Sequence, residues 1–80
     1  MPIRMPTPDA IRKKIARAAS ESGGASVEHF LALLGPVELI CTGSEGSWRL
    51  VYYLGSLGEV EAIESAVAAV HRSNPLVRVE

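Results

Sequence analysis

Eighty residues with 48% hydrophobic content and a formal net charge of -1 are enough for one small domain and leave no room for a second. The single cysteine, Cys41, excludes an internal disulfide or a cysteine cage for a metal, and no apolar run approaches the roughly 18 residues of a membrane span. These features, with an amino terminus lacking a signal peptide's apolar core, predict a cytoplasmic protein with neither membrane attachment nor a metal.

The opening MPIRMPTPD has prolines at 2, 6 and 8, which suits an extended arm or a very short edge strand over residues 3–5 and defeats a helix. Thr7 is a suitable N-cap, with Pro8 at the first helical position and Asp9 near the positive end of the helix dipole. A helix is predicted from there to Ser22, ended by Gly23 and Gly24. Its apolar stripe of Ile11, Ile15, Ala18 and Ala19 is narrow, so it is expected to pack weakly or against a partner, with Lys13, Lys14 and Arg17 projecting away.

Ser26 caps a second, short helix in which Val27, Phe30, Leu31 and Leu34 fall at i, i+3, i+4 and i+7, and Gly35 and Pro36 stop it. From Val37 the period changes to two. VELICT puts Val37, Leu39 and Cys41 on one face, and WRLVYYL puts Trp48, Leu50, Tyr52 and Leu54 on one face with Arg49, Val51 and Tyr53 on the other. The joint GSEG makes the two an antiparallel hairpin. A longer helix opens on the capping box Ser56 to Glu59 and carries Val60, Ile63, Val67 and Val70 on one face, until Asn74 and Pro75 end it and LVRV forms a last strand. The predicted fold class is α+β: a small antiparallel sheet with helices on one face, either ferredoxin-like or an α-β-β-α-β variant with an exposed edge that invites a second subunit.

Charge is unevenly placed. Residues 1–24 carry five cations against two carboxylates, a local +3, and the remainder three arginines against seven carboxylates, a local -4. A basic head on an acidic body suits self-association. The four cations Arg12 to Arg17 have no aromatic among them, which argues against nucleic acid as a partner.

Signals for catalysis are sparse. His29 lies opposite the apolar stripe of its helix and His71 near the end of the last one, and with Cys41 they match no ligand spacing. Glu61 and Glu64 read as a solvated helix face, Glu59 has a capping role, and GSLG at 55–58 reads as a turn before a helix rather than a phosphate loop.

Two stretches resemble known families. MPI followed by a helix with Ile and Arg resembles the small tautomerases, which implies Pro2 as a base after removal of Met1; in that family the proline starts a long first strand, which Pro6 and Pro8 cut short here. Residues 37–70 are similar to the second half of the bacterial microcompartment shell domain, through Val37-Glu38-Leu39, Gly55 and Val60-Glu61-Ala62 to Ala66. That resemblance implies a structural subunit of tiled hexamers. The same residues are similar to ferredoxin-like ligand-sensing domains of amino-acid-responsive regulators, where a hairpin leads to a helix and a final strand. Two families fitting one stretch report a shared fold rather than a shared activity.

The sequence therefore predicts a non-enzymatic binding or assembly module, an oligomerising regulatory or adaptor domain without a cofactor, whose partner is a protein, a small ligand or a second copy. Trp48 and Tyr52 are expected in the core. Arg49, Val51 and Tyr53 are expected to form an exposed amphipathic patch, with Lys13, Lys14 and Arg17 as the other binding surface.

Overall fold

The computed structural model describes residues 6–42 and 45–78. Its elements are α1 (Pro8–Gly23), α2 (Val27–Leu33), β1 (Val37–Thr42), β2 (Glu45–Leu50), α3 (Leu57–Ser73) and β3 (Val77–Arg78). The fold is α+β. β1 and β2 pair antiparallel with Leu39 opposite Trp48 and Val37 opposite Leu50. β3 pairs antiparallel with β2 on its other side, giving the order β1-β2-β3. The described elements follow the order α-α-β-β-α-β, which the α-β-β-α-β variant and, after its first strand, the ferredoxin-like arrangement share. The strand over residues 3–5, Pro2 and the outer end of the last strand lie outside the described residues, as do Gly43 and Ser44 of the hairpin joint.

Each helix begins where a hydroxyl can satisfy an otherwise unpaired amide. Thr7 accepts from the Ala10 amide, Ser26 from the His29 amide and Ser56 from the Glu59 amide, the last completed by the Glu59 carboxylate accepting from the Ser56 amide at 2.8 Å. Gly24 closes α1 with φ of 74°, a left-handed conformation open to glycine, and its amide donates to the Ser20 carbonyl.

The core is built around α1. Ile11, Ile15, Ala16 and Ala19 are buried, and the helix packs on α3, α2 and β1. Its narrow stripe was expected to leave it weakly packed, and the structure corrects this. The alanines on α1 and Ala62 and Ala66 on α3 belong to one buried cluster, and short side chains let helices approach closely, so little apolar bulk is needed. On α3 the buried line is Ala62, Ile63, Ala66 and Val70, with Val60 and Val67 at its margins. Phe30 and Leu34 complete the cluster from the α2 side and Trp48 from the sheet.

One face of the sheet, with Val37, Leu39, Trp48 and Leu50, packs towards the helices, and Glu38, Ile40 and Arg49 are exposed on the other. Beyond Leu50 the alternation breaks. Tyr52 and Leu54, expected inside, are 55% and 63% exposed, while Tyr53, expected outside, is half-buried and packs against the core. Here Pro36 faces residue 51, accepts from the Val51 amide and has no N–H to return, so the regular ladder stops. The two segments keep the same register, with the Gly35 amide donating to the Tyr52 carbonyl at 2.9 Å and a single bridge at Leu34 and Tyr53, but the side-chain alternation of a regular strand does not continue. Tyr52 instead lays its ring over Gly35, where a Cβ would stand 2.8 Å from the ring carbons.

Arg12 joins α1 to the end of α2. Its guanidinium donates to the carbonyls of Leu31 at 2.6 Å, Leu34 at 3.1 Å and Gly35 at 3.3 Å. A helix C-terminus leaves carbonyls unpaired and partly negative, and a forked cation answers both needs.

Candidate functional site

A cleft of about 370 Å³ opens between β2 and α3. Its sheet wall is Trp48, Arg49, Leu50 and, past the end of the strand, Tyr53; its helix wall is Glu64, Val67 and His71. These three helical residues stand at i, i+3 and i+7, so they share one side of α3.

Each end is fixed by a contact between the walls. At one end the Tyr53 hydroxyl donates to Glu64 Oε1 at 3.0 Å. This bond to the carboxylate, then burial and the nearby negative charge, raise the phenol above its ordinary pKa of 10.0. Tyr53 is therefore a protonated donor at neutral pH. At the other end the Trp48 and His71 rings lie 5.0 Å apart at 46°. Trp48 is held from behind by its indole N–H, which donates to the Asn74 carbonyl at 2.6 Å, while the Asn74 amide bonds back to Val70. Leu50 and Val67 give an apolar middle.

Arg49 contributes little free charge. Its Nε and a terminal nitrogen reach Glu38 Oε2 at 2.9 and 2.8 Å across the hairpin, where the two residues are register partners. The pair is largely exposed, so it fixes the guanidinium more than it stabilises the sheet.

Of the residues singled out from sequence, Arg49 and Tyr53 meet in this cleft and Val51 stands outside it, 47% exposed. Lys13, Lys14 and Arg17 project into solvent from α1, and Lys13 forms an exposed pair with Asp9 at 3.2 Å. None of the three lines the cleft. Sequence reasoning missed Glu64, Val67 and His71 as a set. Their spacing was visible, but beyond Leu50 the expected alternation put Tyr53 on the outer face, so nothing paired it with Glu64.

His29 and Glu59 form a second polar contact, a side-chain hydrogen bond from α2 to the first turn of α3. The Glu59 carboxyl is lowered from 4.5 to about 2, first by the Ser56 amide, then by His29 and the Ser56 hydroxyl. That arrangement anchors a helix terminus. Among the described residues no three His, Asp or Glu side chains converge as metal ligands, and no described helix is long and apolar enough to cross a membrane.

Compared with protein-family models, with curated proteins and with solved structures, the chain shows no significant match. The molecule is a small α+β domain with a hollow of about 370 Å³ between its sheet and its last helix.

Proposed function

We propose that this protein is a non-enzymatic binding module, a small oligomerising regulatory or adaptor domain, and that its ligand seat is the cleft between β2 and α3. The observation that carries the reading is the composition of that cleft. An apolar middle between two polar, cross-braced ends is the pattern of small-molecule sites, and about 370 Å³ falls within their usual range. The Tyr53 hydroxyl is already engaged by Glu64, and Arg49 by Glu38. Both favour holding a ligand over transforming it.

Support for the partner side of the reading comes from the link between β2 and α3. Val51, Tyr52, Leu54 and Leu57 are all exposed there, Leu57 at 77%, and apolar side chains gathered on a surface favour association.

A panel of small aromatic and aliphatic compounds, screened by thermal shift on the wild type and on Val67→Phe, tests the seat. Val67 is half-buried on the helix wall, so the larger ring fills the hollow. Compounds that raise the melting temperature of the wild type should have no effect on a folded V67F. If V67F does not fold, Glu64→Trp on the exposed rim blocks the same opening. Hits that act equally on a folded, blocked variant would remove the cleft as the seat.

A further inference from the structure

The two ends of the cleft differ in charge, and this difference defines a ligand class. Glu64 and His71 are seven residues apart on α3, about 10 Å at 1.5 Å per residue, with Val67 between them. Opposite stand Tyr53, Leu50 and Trp48. At the Glu64 end the carboxylate accepts one hydrogen bond, from Tyr53, and among the described residues no cation lies within ion-pair distance of it. A carboxylate offers about four acceptor positions, so most of its capacity stays open on the exposed rim of the cleft. The other formal charge on the walls, the Arg49 guanidinium, is matched by Glu38 through two bonds to one oxygen. The uncompensated charge of the cleft is therefore negative and sits at one end of an apolar channel.

We infer that the cleft takes a small organic cation: an ammonium or guanidinium head seated at Glu64 beside Tyr53, on an apolar body lying between Leu50 and Val67 towards Trp48 and His71. The inference rests on the cleft being the binding seat and adds what is bound there. The Tyr53 hydroxyl donates to Glu64, which orients the carboxylate, and its ring lines the same cleft as an aromatic neighbour for a cation. An anionic ligand of the same shape meets Glu64 with like charge and finds Arg49 already paired. The volume, near the small end of ligand sites, limits the body to about one ring or a short aliphatic chain.

The test uses three compounds with one body and different heads: 2-phenylethylamine, 2-phenylethanol and phenylacetate. Each is titrated at neutral pH into the full chain while the emission of Trp48 is followed, which is specific because the chain has a single tryptophan. The amine should bind about tenfold more tightly than the alcohol, the worth of one charge-assisted hydrogen bond, and the acid most weakly. In Glu64→Gln the amine and the alcohol should bind alike, with the melting temperature close to that of the wild type. The inference is overturned if the alcohol or the acid binds as well as the amine, or if the amine keeps its advantage in E64Q. Should all three bind alike and be lost together in Val67→Phe, the seat stands and the cation does not. If none of the three changes the emission or competes with a compound that raises the melting temperature, both readings fall.

Discussion

The indole N–H of Trp48 donates to the carbonyl of Asn74 at 2.6 Å, tying the middle of the central strand to the residue that closes α3. Trp48 is 2% exposed and also forms one end of the cleft through His71. Fold and site thus share a side chain. Trp48→Ala should cost about 3–5 kcal/mol, the range for truncating a buried aromatic. Trp48→Phe keeps much of the ring but leaves the Asn74 carbonyl without its donor, which should cost about 1–3 kcal/mol. Urea unfolding of the three proteins measures both, and a W48F as stable as the wild type would show that the indole bond contributes nothing.

Arg12 gives a second prediction. Its three bonds to Leu31, Leu34 and Gly35 close the end of α2, so Arg12→Ala should destabilise by about 1–3 kcal/mol, a range set by leaving such carbonyls unpaired. Arg12→Lys should recover only part of this, because an ammonium cannot reproduce the planar fork. Equal stability of wild type and R12K in chemical denaturation would contradict the geometry.

Neighbouring glycines at the end of α1 should behave differently. A Cβ at Gly23 would stand 2.6 Å from the tip of the buried Phe30 ring, whereas at Gly24 it would meet open space. Gly24→Ala should cost about 1 kcal/mol for its left-handed φ of 74°. Gly23→Ala must displace a core ring and should cost more, about 1–3 kcal/mol. Thermal melts that rank the two in the opposite order would refute the packing described for Phe30.

Acid stability should report on Glu59. A carboxyl lowered from 4.5 to about 2 in the folded chain stabilises it above pH 4.5, and this contribution disappears as the pH falls towards about 2. Glu59→Gln keeps an acceptor for the Ser56 amide but has no proton to gain. Its melting temperature should start lower at neutral pH and fall less steeply across that acid window than the wild type's. Parallel curves would mean that Glu59 has no such shift.

Much of this molecule was legible because its signals are local. Thr7, Ser26 and Ser56 mark helix starts through bonds to amides three residues on, and a capping box needs no tertiary partner to be recognised. The hairpin followed from alternation and a glycine-rich joint, and Trp48 was correctly placed in the core. What escaped depends on contacts distant in sequence. Arg12 reads as one more cation of a basic helix until the end of α2 lies beneath it. The exchange of Tyr52 and Tyr53 lies beyond Leu50, where Pro36, just before the partner strand, ends the regular ladder opposite residue 51. That exchange moved Tyr53 from an imagined outer patch to the wall facing Glu64, and with it the candidate site from the open face of the sheet to the cleft. α1 was misjudged for a related reason: the width of a stripe does not reveal that its partner helix also presents alanines.

The central claim, that the hollow between β2 and α3 is a binding seat, is most directly tested by nuclear magnetic resonance of the isotope-labelled chain with a compound that raises its melting temperature. The account predicts that the Trp48 indole N–H signal and the methyl signals of Leu50 and Val67 move together, saturably, while those of Leu54 and Leu57 stay in place. Shifts confined to Leu54, Leu57 and the rest of that exposed link, with Trp48 and Val67 unmoved, would contradict it.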